Sequence, residues 1–214
     1  MAPASRRSRQ VDWARSVRDD QQMGDRVLWT LIGINVVVFV LWSQSRGSLL
    51  QDLMARHFLV SVDSIAELRF WTLITAEFSH YEPNHLLFNM LGLYFFGRPV
   101  AQALGWKDLL GMYMTGALVA SLAHVLYGIV TGDMAPSLGA SGAVMAIGVC
   151  FAALYPRATL LVSFVFPVPA AVAVGGYLLL DVFGVLGGGG NVAHAAHLGG
   201  ALVGLVWWYV RTRR

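Results

Sequence analysis

Three short polar clusters interrupt an otherwise apolar chain and contain the residue types that acyl transfer requires. Ser141 lies in a Gly-Ala-Ser-Gly segment, His197 lies in an Ala-His-Leu-Gly-Gly segment, and His85 and Asn89 lie four residues apart in a third cluster. A serine hydroxyl is a weak nucleophile until a neighbouring base takes its proton, and histidine suits that task near neutral pH. These residue types predict a reaction in which Ser141 attacks and His197 transfers the proton.

The cluster around His85 supplies candidate donors for the oxyanion that such an attack creates. Residues four apart on a helix share one face, so His85 and Asn89 are expected to point the same way. Together with the backbone N–H of Ser141, their side chains predict an oxyanion hole. An acid that orients the base has no good candidate, because we expect Asp181 to be a helix-end or interface residue. A Ser-His dyad is therefore predicted, and Glu77 is expected to be a solvated loop carboxylate.

Small residues flank both reactive side chains. Gly139 and Gly142 surround the serine, and Gly200 and Gly204 follow the histidine at the spacing of one helix face. Such residues let membrane helices approach closely. The glycines therefore predict tight packing of the two helices that carry Ser141 and His197.

The composition is that of a membrane protein. Hydrophobic residues make up 57% and charged residues 13% of the 214 residues, with a mean hydropathy of +0.61, against roughly 25% charged residues in soluble domains. The net charge of +3 arises from basic residues at the ends of apolar runs. We interpret them as topology signals, so the lipid bilayer is an expected partner and nucleic acid is not.

Six apolar runs predict an all-α, polytopic fold with six transmembrane helices. The runs are Val27 to Trp42, His85 to Leu104, Leu109 to Val130, Ser141 to Leu154, Thr159 to Leu180 and Val192 to Val210. The fourth run is too short to span a bilayer, which suggests that its outer end stops inside a protein-lined, water-filled cavity.

The distribution of basic residues predicts the orientation of these helices. Twelve of the 15 Lys and Arg residues fall in alternate segments that include both chain ends, so the positive-inside rule places both termini in the cytoplasm. The second, fourth and sixth helices then all begin at the outer face. The predicted organisation is a basic cytoplasmic tail (1–26), a six-helix domain (27–210) with a structured outer loop (43–84), and a short basic tail (211–214).

The three clusters resemble those of the rhomboid family of intramembrane serine proteases. The matching segments are Phe78 to Asn89, Gly139 to Gly142 and Ala196 to Gly204. The resemblance implies a rhomboid-like six-helix fold, a nucleophile at Ser141 and a general base at His197. It also implies oxyanion support from His85 and Asn89, no cofactor or metal, and single-span membrane proteins as substrates.

The resemblance also distinguishes the two histidines of the last cluster. The family's base precedes glycines by three and seven positions, which here are Gly200 and Gly204, so it implies His197 and not His194 as the base. Two positions depart from many bacterial members. Trp71 is followed by Thr72 where those members have arginine, and Met145 stands where they have a tyrosine that stacks on the base.

The segments 136–143 and 194–201 resemble the mitochondrial presenilin-associated branch of the family in particular. The sequence shows no sign of the extra N-terminal helix of that branch. A bacterial six-span member in the bacterial inner membrane is therefore expected ahead of a mitochondrial inner-membrane protein.

Three other classes of function remain as alternatives. His80, His85, His194 and His197 could bind a metal or haem, although the sequence contains no His-Glu-x-x-His zinc signature. A proteolytically silent scaffold that binds transmembrane helices is a second alternative, but inactive relatives lack the serine or the histidine. A transporter is the third, without a visible inverted repeat of broken helices.

Overall fold

The described part of the chain is helical apart from one short hairpin. The computed structural model describes residues 6–162, 165–187 and 193–213, with side chains from residue 17 onwards. Within these residues the helices are α1 (Arg6–Ser45), α2 (Leu49–Phe58), α3 (Val62–Ala66), α4 (Thr72–Thr75), a 3₁₀ helix (Ala76–Phe78), α5 (Pro83–Leu104), α6 (Trp106–Thr131), α7 (Ser141–Leu154), α8 (Ala170–Gly187) and α9 (His194–Thr212). The predicted all-α class is confirmed.

The fifth predicted span, Thr159 to Leu180, is wrong in its first half. Strands β1 (Thr159–Val162) and β2 (Phe166–Pro169) pair as an antiparallel hairpin, and α8 begins only after them. The physical reason lies in β2, where Pro167 and Pro169 have no N–H to donate within a helix. The branched and aromatic residues around them suit a strand.

Two other predicted boundaries differ from the structure. Helix α1 begins at Arg6 and runs through most of the predicted tail, residues 1–26, so the first helix does not start at Val27. The predicted start of the last span, Val192, lies outside the described residues, and α9 begins at His194. By length and hydropathy, three described helical segments can cross a bilayer: Val17–Ser45, Trp106–Thr131 and Ala170–Gly187.

Helix α7 occupies the centre of the bundle. It has 14 residues, which gives a length of about 21 Å, and nine of them are buried. Its side chains pack against α5, α6 and α9. Ala143, Ala146 and Ile147 have no exposed surface. Glycine and alanine residues along α7 let the neighbouring helices approach closely, which suits this central position.

Glycines allow α9 to lie almost against the backbone of α7. A Cβ atom built on Gly200 would lie 2.0 Å from the carbonyl oxygen of Gly142, and one on Gly204 would lie 2.0 Å from the carbonyl oxygen of Ala146. No side chain larger than hydrogen fits at either position. The two helices therefore meet through their backbones along two turns.

The segment between α1 and α5 is folded against the bundle. The Trp71 indole donates to His57 Nδ1 at 3.1 Å, and the Thr75 hydroxyl donates to the His57 carbonyl. Thr72 is buried, and its hydroxyl lies 3.1 Å from the Ser64 hydroxyl. Tryptophan and hydroxyl contacts thus hold the segment together.

The contact between α7 and α9 predicts a large difference between two Gly→Ala substitutions. Gly204→Ala should destabilise the protein by roughly 2 kcal/mol, since overpacking a filled interface costs about 1–3 kcal/mol. Gly33→Ala is the matched control, because a Cβ there meets nothing within 4 Å and alanine favours helix. Thermal unfolding in detergent measures both. Equal melting temperatures for the two variants would contradict the close contact.

Candidate active site

Ser141 and His197 are hydrogen-bonded to each other. Ser141 is the first residue of α7, and His197 lies in the first turn of α9. The Ser141 Oγ atom lies 2.9 Å from His197 Nε2, and the histidine side chain is buried. The contact depends on the close packing of α7 and α9, because the two side chains start from different helices. A hydroxyl and an imidazole at this distance can exchange a proton.

The other ring nitrogen of His197 contacts Asp181, a residue in α8. Asp181 Oδ1 lies 3.0 Å from His197 Nδ1 and 2.7 Å from His194 Nδ1. Asp181 is only 2% exposed and lies well inside α8. Asp181 is therefore not a helix-end residue, and it lies at the interface between α8 and α9. The sequence separation between Asp181 and His197 obscured the contact, since only the packing of α8 on α9 brings them together.

His85 lies directly over Gly139, just before the serine. A Cβ on Gly139 would fall 2.5 Å from the His85 ring, and its φ of +119° is one that favours glycine. The glycine thus allows the imidazole to cover the chain that leads into α7. His85, Asn89, Ser141 and His197 all line the same cavity, whose volume is about 1350 Å³.

Asn89 is held by His80, which lies before α5. Asn89 Nδ2 is 3.0 Å from His80 Nε2, and the Ala140 backbone N–H donates to the same nitrogen at 3.4 Å. Burial lowers the pKa of His80 to about 3, so the ring is neutral and Nε2 can accept both bonds. The amide of Asn89 keeps a second N–H for another acceptor.

A family model described as "Rhomboid domain" matches residues 67–214 of the chain. The chain belongs to the rhomboid family. It is 39% identical over 204 residues to RHOMBOID-like protein 12, mitochondrial, of Arabidopsis thaliana, covering 88% of this chain and 59% of that protein. It is 35% identical over 189 residues to Rhomboid protein 1, mitochondrial, of Saccharomyces cerevisiae, covering 86% and 53%.

The human Presenilin-associated rhomboid-like protein, mitochondrial, is 31% identical over 189 residues, covering 87% of this rhomboid and 48% of that protein. The chain thus spans about half the length of the curated relatives it matches. These three relatives are all named as mitochondrial proteins. The prediction of a bacterial inner membrane is therefore contradicted.

An aromatic ring of α8 lies beside His197 in this rhomboid. Tyr177 of α8 has its ring 5.8 Å from the His197 ring, centre to centre. The family resemblance puts the expected tyrosine at position 145, where methionine stands, and gives no indication of Tyr177. Both residues line the cavity. Only the packing of α8 shows which aromatic residue reaches the imidazole.

Glu77 is buried beneath α7, and the expectation of a solvated carboxylate is wrong. Its side chain accepts from the Ala143 backbone N–H at 3.3 Å and from the Ser121 hydroxyl at 3.4 Å. Burial raises the pKa of Glu77 well above its usual value, although these two hydrogen bonds act in the opposite direction. The rhomboid therefore keeps a carboxyl group under the first turn of the serine helix. Glu82, in contrast, is exposed.

Glu77→Gln should change how stability depends on pH. Because the pKa of Glu77 is raised in the folded protein, the unfolded chain loses this proton at a lower pH than the folded protein does. Wild type therefore loses stability as pH rises from about 4.5 towards the raised pKa, whereas glutamine does not titrate. We expect the melting temperature of the variant, relative to wild type, to increase with pH over this window.

The matched control for this measurement is Glu82→Gln, which removes the same charge at an exposed position. Thermal unfolding of all three proteins in detergent, at a series of pH values, gives the comparison. A difference between Glu77→Gln and wild type that stays constant with pH would contradict the raised pKa.

Proposed function

We propose that this rhomboid is an intramembrane serine endopeptidase that cleaves membrane-embedded segments of other proteins. Ser141 is the nucleophile and His197 is the general base. The observation that carries the proposal is the 2.9 Å hydrogen bond between Ser141 Oγ and His197 Nε2 beside a large cavity. Family membership supports the same reaction class, since rhomboids are typically intramembrane serine proteases.

The reaction follows from the two side chains and a peptide bond. Ser141 Oγ bonds to the scissile carbonyl carbon while its proton passes to His197 Nε2. The imidazolium then gives that proton to the leaving nitrogen, the C–N bond breaks, and an acyl-enzyme remains. Water then attacks the ester carbon while His197 takes a proton from it. The imidazolium returns this proton to Ser141 Oγ as the ester C–O bond breaks, and the acid product leaves.

The oxyanion that forms in both steps is stabilised by three groups. The Ser141 backbone N–H belongs to the first turn of α7, where N–H groups have no helical acceptor and the helix dipole favours negative charge. His85 and Asn89 line the same cavity and supply side-chain N–H groups. The bond from Asn89 to His80 keeps the amide oriented.

The substrates are single-span membrane proteins. A transmembrane helix hides its carbonyl carbons behind its own hydrogen bonds, so the segment must unwind before Ser141 can reach a peptide bond. The cavity is lined by residues of α5 and α8 as well as α7 and α9, which supports lateral entry beside α5 and α8. Substrates with glycine or other helix-weakening residues near the scissile bond should be preferred.

The proposed topology has six membrane helices formed by α1, α5, α6, α7, α8 and α9. The apolar α7 is shorter than the other five, so the N-terminal end that carries Ser141 stops inside the protein. Both termini lie on the side that holds most of the basic residues, as the positive-inside rule predicts. The names of the relatives support a mitochondrial membrane for this chain.

Replacing either reactive residue should abolish cleavage. Ser141→Ala and His197→Ala are each expected to reduce kcat by at least about 1000-fold, because the two residues act as a unit. The assay uses the purified protein in detergent with a transmembrane substrate and measures product on gels. Ser43→Ala is the matched control, since Ser43 lies on α1 and its hydroxyl donates to the Phe39 carbonyl. Cleavage by both reactive-residue variants at the wild-type rate would refute the mechanism.

The topology can be tested with single cysteines, because Cys150 is the one native cysteine. In a Cys150→Ala background, Asp19→Cys and Thr212→Cys should react with an impermeant maleimide on the same side of sealed vesicles. Asp63→Cys, between α1 and α5, should react on the opposite side. Labelling of Asp19→Cys and Thr212→Cys from opposite sides would contradict an even number of spans, and labelling of all three from one side would contradict a span formed by α1.

A further inference from the structure

We propose that Asp181 is a positioning residue that fixes the tautomer and orientation of His197, so that the reactive pair is part of a Ser-His-Asp chain. The inference rests on the proposed protease function and extends it beyond a dyad. Its members come from three helices, with Ser141 on α7, Asp181 on α8 and His197 on α9.

The geometry assigns a position to each proton in the Ser-His-Asp arrangement. A carboxylate can only accept, so the 3.0 Å contact means that His197 Nδ1 carries a hydrogen and donates it to Asp181 Oδ1. The other ring nitrogen, Nε2, then has a free lone pair, and it lies 2.9 Å from Ser141 Oγ. This is the tautomer that can take the serine proton. Without the acceptor, the ring is free to rotate or to adopt the other tautomer.

His194 holds the carboxylate in place from the other side. Its Nδ1 atom lies 2.7 Å from the same Oδ1 atom, so two imidazole N–H groups converge on one oxygen. The His194 ring fits only because residue 184 is glycine, as a Cβ there would lie 2.2 Å from the ring. Asp181 is thus held in place by two side chains of α9. Among the described residues, Oδ2 has no hydrogen-bond partner.

The contact also links helix α8 to the reactivity of the serine. Many side chains of α8 are exposed, and substrates are proposed to enter beside this helix. If α8 moves outwards, Asp181 moves away from His197 and the imidazole loses its acceptor. The serine is therefore most reactive while α8 is seated against α9, which couples closure around the substrate to the chemical step.

The test is Asp181→Asn, which keeps the size of the side chain and an oxygen acceptor but removes the charge. Two rates are measured: labelling of Ser141 by a small fluorophosphonate, and kcat and KM for a transmembrane substrate. We expect labelling and kcat to fall about 100-fold, less than the roughly 10,000-fold seen for the acid of soluble triads, with KM changed less than about threefold. Asp181→Glu, which restores a carboxylate, should recover part of both rates.

The small probe separates positioning from helix closure. It reaches the serine through water, so its rate does not depend on lateral entry of a helix. If Asp181 only tied α8 to α9, its loss would lower the melting temperature or speed substrate entry, and labelling would not slow. Labelling within about twofold of wild type, or faster cleavage, in folded Asp181→Asn would overturn the proposal.

Asp108 provides the matched control. This buried acid of α6 also accepts two bonds from α9, from Trp207 Nε1 at 2.8 Å and from Arg211 Nε at 2.6 Å. Asp108→Asn therefore weakens an interhelical carboxylate contact near the other end of α9. It should lower thermal stability and leave the labelling rate of the folded fraction unchanged. Equal loss of labelling in the Asp108 and Asp181 variants would overturn a specific role for Asp181.

A second measurement requires no variant of the acid. Nitrogen-15 NMR of histidine-labelled wild type distinguishes the two tautomers, with the His197 signal assigned by its absence in His197→Ala. We expect the hydrogen on Nδ1, and a hydrogen on Nε2 would overturn the proposal even if Asp181→Asn failed to fold. A failure of this proposal can be told apart from a failure of the proposed function. If only the role of Asp181 is wrong, wild type is still labelled at Ser141 and still cleaves its substrate, whereas if the protein is not a protease, wild type does neither.

Discussion

The structure depends first on the near contact between the backbones of α7 and α9. Gly200 and Gly204 lie against the carbonyl oxygens of Gly142 and Ala146, with no room for a Cβ atom. Side chains that begin on two helices can form a short hydrogen bond only if the helix axes are close and do not slide. The glycines supply that closeness in a membrane protein, where apolar side chains gain little from leaving lipid for another helix.

The polar groups of the site are buried together, and hydrogen bonds connect them to one another and to the backbone. His80 accepts from an amide and a backbone N–H, Glu77 accepts from the first turn of α7, and Asp181 accepts from two imidazoles. Each of these groups would be costly to bury alone. Grouping them at one end of an apolar bundle limits that cost and leaves the remainder of α7 free to pack as a plain hydrophobic helix.

Apolar runs predicted the helices well where a long apolar segment forms one continuous helix. The run Ser141 to Leu154 coincides with α7, and the second and third runs lie within α5 and α6, because long apolar segments must form helices in a bilayer. The run from Thr159 failed, since hydropathy does not distinguish an apolar strand from a helix. The prolines of β2 were the available signal. The burial of Glu77 was not predicted, because the few apolar residues beside it are compatible with an exposed loop as well as with a buried turn.

The sequence by itself determined the kind of chemistry and the family, because Ser141, His197 and their glycine neighbours are recognisable from residue type and local spacing. It could not decide which distant side chains touch the histidine. Asp181 and Tyr177 contact His197 from α8. Which side chains of α8 face the histidine depends on where the hairpin lets this helix begin and on how the helix packs against α9. Local spacing is a property of one helix, whereas contacts between helices depend on packing summed over the whole bundle, which no single segment specifies.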